Sequence, residues 1–137
     1  MYDFTKICIV FFGGVLSHMF GGFDVLLQGL LWLMFFDMAT GICKYFLKKS
    51  LSPDELARGV VKKIMVLIVV AMTNIIQNTL AIDLPLRETV IFFYCSKEFL
   101  SVILNINGII PIPQEIMQYF KYFESKGGKD KDENSIN

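Results

Sequence analysis

The sequence predicts an all-α membrane protein: three to four transmembrane helices, a short interfacial connector helix and a C-terminal amphipathic helix. Three observations carry this reading. Of the 137 residues, 54% are hydrophobic and the mean hydropathy is +0.53, well above what a soluble chain of this size shows. Charge is excluded from two long stretches, Val25 to Phe36 and Ile64 to Ile82, and a soluble core helix rarely runs so far without a polar stripe. Between them lies Phe35 to Lys63, where an apolar run, an embedded Asp37 and a dense group of basic residues meet. The chain is long enough for one domain. It divides into a transmembrane region (1–112), an amphipathic interfacial helix (113–126) and a polar tail (127–137) expected to be disordered.

The first candidate span, 6–23, is short for the roughly 17–25 residues that cross a bilayer. Gly13, Gly14, Gly21 and Gly22 offer small surfaces where another helix can approach. With only Lys6 as a basic flank and no small-residue cleavage site, it does not read as a signal peptide. Asp24 marks a tight turn.

The second span, 25–47, is full length and carries Asp37 near its midpoint. Asp37, Thr40, Gly41 and Lys44 are spaced to share one helix face. A carboxylate at bilayer depth faces a bundle interior or a wet cavity. Lys44 is near enough to the helix end to extend its amine toward the interface.

The connector opens with Ser52-Pro53-Asp54-Glu55, a helix start with Ser52 as N-cap, Pro53 in the first turn and Glu55 completing a capping box. The basic residues Lys48, Lys49, Arg58, Lys62 and Lys63 surround it. The third span, 62–82, places Asn74, Gln77 and Asn78 on one face. Such residues bond across membrane helices at about 0.6–2 kcal/mol each, or line a wet path. The fourth span, 86–106, carries a second polar stripe of Tyr94, Glu98, Ser101 and Asn105, with Lys97 beside it. Pro111 and Pro113 break this helix, and Gln114 to Ser125 restarts as an amphipathic helix.

Lysine and arginine concentrate in the connector between the second and third spans. The positive-inside rule therefore predicts a multi-pass protein of the bacterial cytoplasmic membrane with a cytoplasmic C-terminus. The second and fourth spans then run in the same direction, which suggests an ion pair between Asp37 and Lys97, within or between subunits.

The three cysteines, Cys8, Cys43 and Cys95, lie in apolar stretches without metal-ligand spacing and read as small buried hydrophobes. His18 has no companion ligand. The sequence holds no catalytic constellation, metal cluster or phosphate loop, so no enzyme, metal or cofactor is expected. Thirteen basic residues balance thirteen acidic ones, and no nucleic-acid partner is expected.

Asp37-x-x-Thr40-Gly41-x-x-Lys44, followed by Leu51-Ser52, Gly59 and Lys62-Lys63, resembles the toxin-secretion/phage-lysis holin family of Gram-positive phages and clostridial toxin loci. Phe93-Tyr94, Glu98, Ser101, Asn105, Gly108, Pro111 and Pro113 are similar to that family's NExxSIxEN…G…P stretch. The resemblance covers roughly Leu33 to Lys121. Lys97 replaces an Asn of the family pattern and Leu104 a second Glu. The resemblance implies a small protein that oligomerises in the lipid bilayer and opens lesions, with an endolysin or a toxin as released cargo. Two other classes fit the residues alone: a proton-coupled four-helix transporter using Asp37 or Glu98, and a membrane subunit docking through its C-terminal helix.

Overall fold

The structure, a computed structural model, describes residues 1–49 and 52–132. Five helices follow one another: α1 (Tyr2–Met19), α2 (Val25–Lys48), α3 (Pro53–Thr79), α4 (Leu86–Asn107) and α5 (Gln114–Asp132). Among the described residues there is no strand. Three of these helices, α2, α3 and α4, are long and apolar enough to cross a membrane.

Each boundary has a local cause. Helix α1 stops before the predicted end at Phe23, because Gly21 and Gly22 take positive φ values of 76° and 99°. That conformation is open to glycine and strained for other residues, and it lets the Gly22 N–H return to the Ser17 carbonyl at 2.7 Å. Gly21 and Gly22 thus make a turn. Gly21 is also where Asn74 of α3 and Arg87 of α4 approach too closely for a Cβ, whereas Gly13, Gly14 and Gly22 meet no neighbour. Asp24 caps α2 by accepting from the Leu27 N–H at 3.0 Å.

The capping box forms as predicted at the start of α3. The Glu55 N–H donates to Ser52 Oγ at 3.3 Å, and Glu55 Oε2 accepts from the Ser52 N–H at 2.9 Å. The connector helix is continuous with the span it feeds: α3 runs 27 residues without a break, about 40 Å. Gly108 ends α4, and the Asn107 side chain accepts from the Ile112 N–H at 3.1 Å across the proline corner. The C-terminal helix exceeds its predicted end, running on to Asp132 where a disordered tail was expected from 127. Residues 133–137 lie outside the described residues.

Helix α4 stands between α2 and α3 and pairs most extensively with α2. Leu27, Leu30 and Met34 of α2, Val66 and Val70 of α3, and Ile91 of α4 form the core. Asp24 meets Arg87 near the beginning of both helices, and Asp37 meets Asn105 farther along. Helices α2 and α4 therefore run parallel, as their predicted orientation requires. Helix α1 buries no residue and joins the bundle through its C-terminal end alone, against α3 and α4. Phe120 packs on Phe99 with ring centroids 6.2 Å apart, so the first turns of α5 fold back against α4. Trp32, Phe35, Phe92 and Phe93 are outward and exposed. An apolar exterior around a small, partly polar core is the arrangement that lipid selects.

Candidate functional site

The polar stripes of the three long helices converge at two levels. At mid-length, Lys63 of α3 extends between α2 and α4, its Nζ 2.6 Å from Asp37 Oδ2 and 2.6 Å from Glu98 Oε2. Asn105 of α4 donates to Asp37 Oδ1 at 3.1 Å and to Thr40 Oγ1 at 3.3 Å. The Thr40 hydroxyl donates in turn to the Phe36 carbonyl at 2.8 Å. Asp37 and Glu98 each lie roughly 13–18 Å of helix from either end of α2 and α4, and Lys63 stands at the edge of the uncharged run Ile64 to Ile82 of α3.

Neighbouring residues make this approach possible. Gly41 faces Asn105, and a Cβ placed there would lie 3.7 Å from the Asn105 amide nitrogen. One turn on, the aliphatic stem of Lys44 passes Gly108, where a Cβ would come to 3.0 Å from Lys44 Cε. Asp37, Thr40, Gly41 and Lys44 thus form one continuous seam against the C-terminal half of α4. Ser101 is half-buried on the same stripe.

Two carboxylates share one ammonium here, all with little exposure. A lone charge at mid-bilayer costs about 2.5–3.5 kcal/mol on insertion scales, and breaking a buried pair by removing one partner costs about 3–5 kcal/mol. The cluster therefore holds the three helices in one register. It also stores hydrophilic groups out of reach of lipid.

The second level lies at the end of the bundle where α2 and α4 begin. Arg87, only 3% exposed, grips Asp24 with two nitrogens at 2.8 and 3.0 Å. It also donates to the carbonyls of Phe20 and Gly22. Asn74 donates to the Met19 carbonyl at 2.9 Å and accepts from Asn78 at 3.3 Å. Gln77 Oε1 accepts from the Arg87 backbone N–H at 2.9 Å. Together these groups satisfy carbonyls left open at the end of α1 and pin that helix to the bundle. The Arg87 guanidinium beside Asp24 holds its carboxyl below the usual carboxylate range.

The structure thus gathers Asp37, Thr40, Gly41, Lys44, Glu98, Ser101 and Asn105 along one seam and places Asn74 and Gln77 in the Arg87 cluster. The expected Asp37–Lys97 pair does not form within the chain. Lys97 is exposed on the flank of α4, and Lys63 takes its place. Lys48, Lys49, Arg58 and Lys62 are exposed, as a basic connector requires, whereas Lys63 turns inward. Sequence reasoning missed the roles of Lys63 and Arg87. Lys63, Val66, Val70, Asn74 and Gln77 share one helical face, and Arg87 extends the stripe of Tyr94, Glu98 and Ser101 by two turns; those spacings were the available signal. Among the described residues no group of His, Cys, Asp and Glu is placed to hold a metal ion.

A small polytopic helical membrane protein with a polar seam inside its bundle is the class this geometry defines. The bacteriophage holin family matches residues 14–125, and the chain belongs to that family. Similar proteins include uncharacterized proteins of Listeria monocytogenes, 29% identical over 93% of this chain and 91% of the relative, and of Listeria innocua, 30% identical over the same shares. An uncharacterized 14.9 kDa protein in the nagH 3′ region of Clostridium perfringens is 29% identical over 90% of this chain and 96% of its own. No solved structure matches.

Proposed function

We propose that this protein is a functional holin: it accumulates in the bacterial cytoplasmic membrane, self-associates, and opens lesions that release an endolysin or a toxin. One observation supports this above the others. In a member of the holin family, the bundle seals a charged cluster of Asp37, Lys63 and Glu98 in its interior, inside an exterior that is apolar. Helices of this kind have two uses for the same residues. Packed as a monomer they hide the cluster; rotated against other copies they present Asp37, Lys63, Glu98, Ser101 and Asn105 to water. A shift between the two populations converts an inert membrane protein into a lesion. The basic connector favours a cytoplasmic C-terminus.

Induced expression in a bacterium tests this, with viable count and entry of a membrane-impermeant dye followed over time. An abrupt, delayed permeabilisation that an energy poison brings forward is the expected result. Cells that remain tight and viable at high expression overturn the proposal and return attention to carboxylate-based transport.

A further inference from the structure

One layer of the bundle carries two carboxylates, Asp37 and Glu98, and two ammonium groups, Lys63 and Lys97. Lys63 contacts both carboxylates. Lys97 makes no ion pair among the described residues and is exposed on the flank of α4. It stands near the middle of the 22-residue helix, so roughly 15 Å of helix separates it from either end. An ionisable side chain within a membrane-crossing helix is costly against lipid and pairs with an opposite charge or faces a wet interior. Lipid is therefore the wrong neighbour for this face. The charge that matches it is present in the same layer of every copy. Each buried cluster has one carboxylate more than it has ammonium groups. The Asp37 side chain is its more open edge, 16% exposed against 10% for Glu98.

We propose that the flank of α4 centred on Lys97 is the contact surface for a second copy of this chain, whose Asp37 receives the Lys97 ammonium. The proposal deepens the holin reading, because it names the surface through which the chain self-associates. Phe93 and Ser96 lie beside Lys97 and are also exposed; they would cover the contact on either side. On the receiving copy, Phe36 borders Asp37 on the exposed face of α2. The contact joins two different patches, so it can repeat from copy to copy into a ring or an open array. Pairing across copies also supplies each buried cluster, with its two carboxylates and one ammonium, with the second ammonium it lacks.

The test uses the full chain in native membranes, in a background where Cys8, Cys43 and Cys95 are replaced by alanine. One tagged copy carries Ser96→Cys and a second, differently tagged copy carries Phe36→Cys, both keeping Lys97. A short bis-maleimide should link the two tags in mixed membranes and should not do so when either cysteine is absent. In a parallel arm, Lys97→Met should reduce cross-linkable oligomers by about tenfold or more, and Lys97→Arg should restore them. Absence of the 96–36 product, or undiminished oligomers with Lys97→Met, overturns the proposal. Dye entry separates the two levels. Permeabilisation that does not depend on Lys97 retains the holin reading and rejects this interface, whereas a Lys97-dependent oligomer without dye entry retains the interface and rejects the holin reading.

Discussion

Lys63 and Asp37, from helices that follow one another in sequence, meet at 2.6 Å in the middle of the bundle. The ammonium that resolves the problem of an embedded aspartate comes from a residue that the sequence groups with the basic connector. Because Lys63 also reaches Glu98 at 2.6 Å, one side chain ties three helices together.

Replacing Lys63 with methionine leaves two carboxylates without a counter-charge. The expected loss is about 3–5 kcal/mol of bundle stability, measured as resistance to denaturant in lipid or mild detergent. The triple change Lys63→Met, Asp37→Asn and Glu98→Gln should recover a substantial part, because the charge that needed a partner is gone. Equal instability of the single and triple variants would show that Lys63 acts by packing and not by charge.

Arg87 holds α1 through its C-terminal carbonyls, so Arg87→Met should free α1 from the bundle. A disulfide engineered between positions 19 and 74 reports that attachment and should form poorly in the variant. Arg87→Lys should rescue only in part, since a lysine cannot reproduce the two-pronged grip on Asp24.

Gly21→Ala should destabilise more than Gly22→Ala. Both positions have positive φ, which costs of order 1–3 kcal/mol for a non-glycine residue. A Cβ at Gly21 also collides with Asn74 and Arg87, whereas none is within reach at Gly22. Thermal unfolding of the two purified variants orders them directly.

The Asp24–Arg87 pair gives a pH dependence of defined sign. Hydrogen bonding from Arg87 lowers the Asp24 pKa in the folded protein, relative to about 3.9 in an unfolded chain. Its stabilisation is therefore fully present above the unfolded value and is lost as pH falls through the folded one. Melting temperature should show no pH dependence from this pair between neutral pH and pH 5 and a decline under stronger acid. The decline should be modest, because the Asp24 side chain is 43% exposed and solvent screens the interaction. Arg87→Met should remove this component, and a variant whose acid response matches the native protein would contradict it.

Ser52→Ala tests the start of α3. Loss of the capping bond should reduce stability by about 1 kcal/mol, with Ser52→Asp close to native. Hydrogen exchange at Glu55 and Leu56 localises the effect.

The sequence by itself determined that the chain is helical, the ends of α2 and α4, the capped start of α3 and the polar faces that α2 and α4 turn inward. Uncharged runs of span length can satisfy their backbone in lipid only as helices. Ser52 with Glu55, Gly108 with the two prolines, and the spacing of Asp37, Thr40, Gly41 and Lys44 are short-range chemistry that one stretch of chain contains. Only the tertiary structure decided which charges meet. Periodicity assigns a residue to a face but does not fix the rotation of one helix against another. A turn of about 100° between Lys97 and Glu98 separates an exposed amine from a buried carboxylate. The same freedom let Lys63 and Arg87 leave their sequence neighbours and take partners from other helices, because a charge in a low-dielectric interior is held by whichever opposite charge the packing brings within reach.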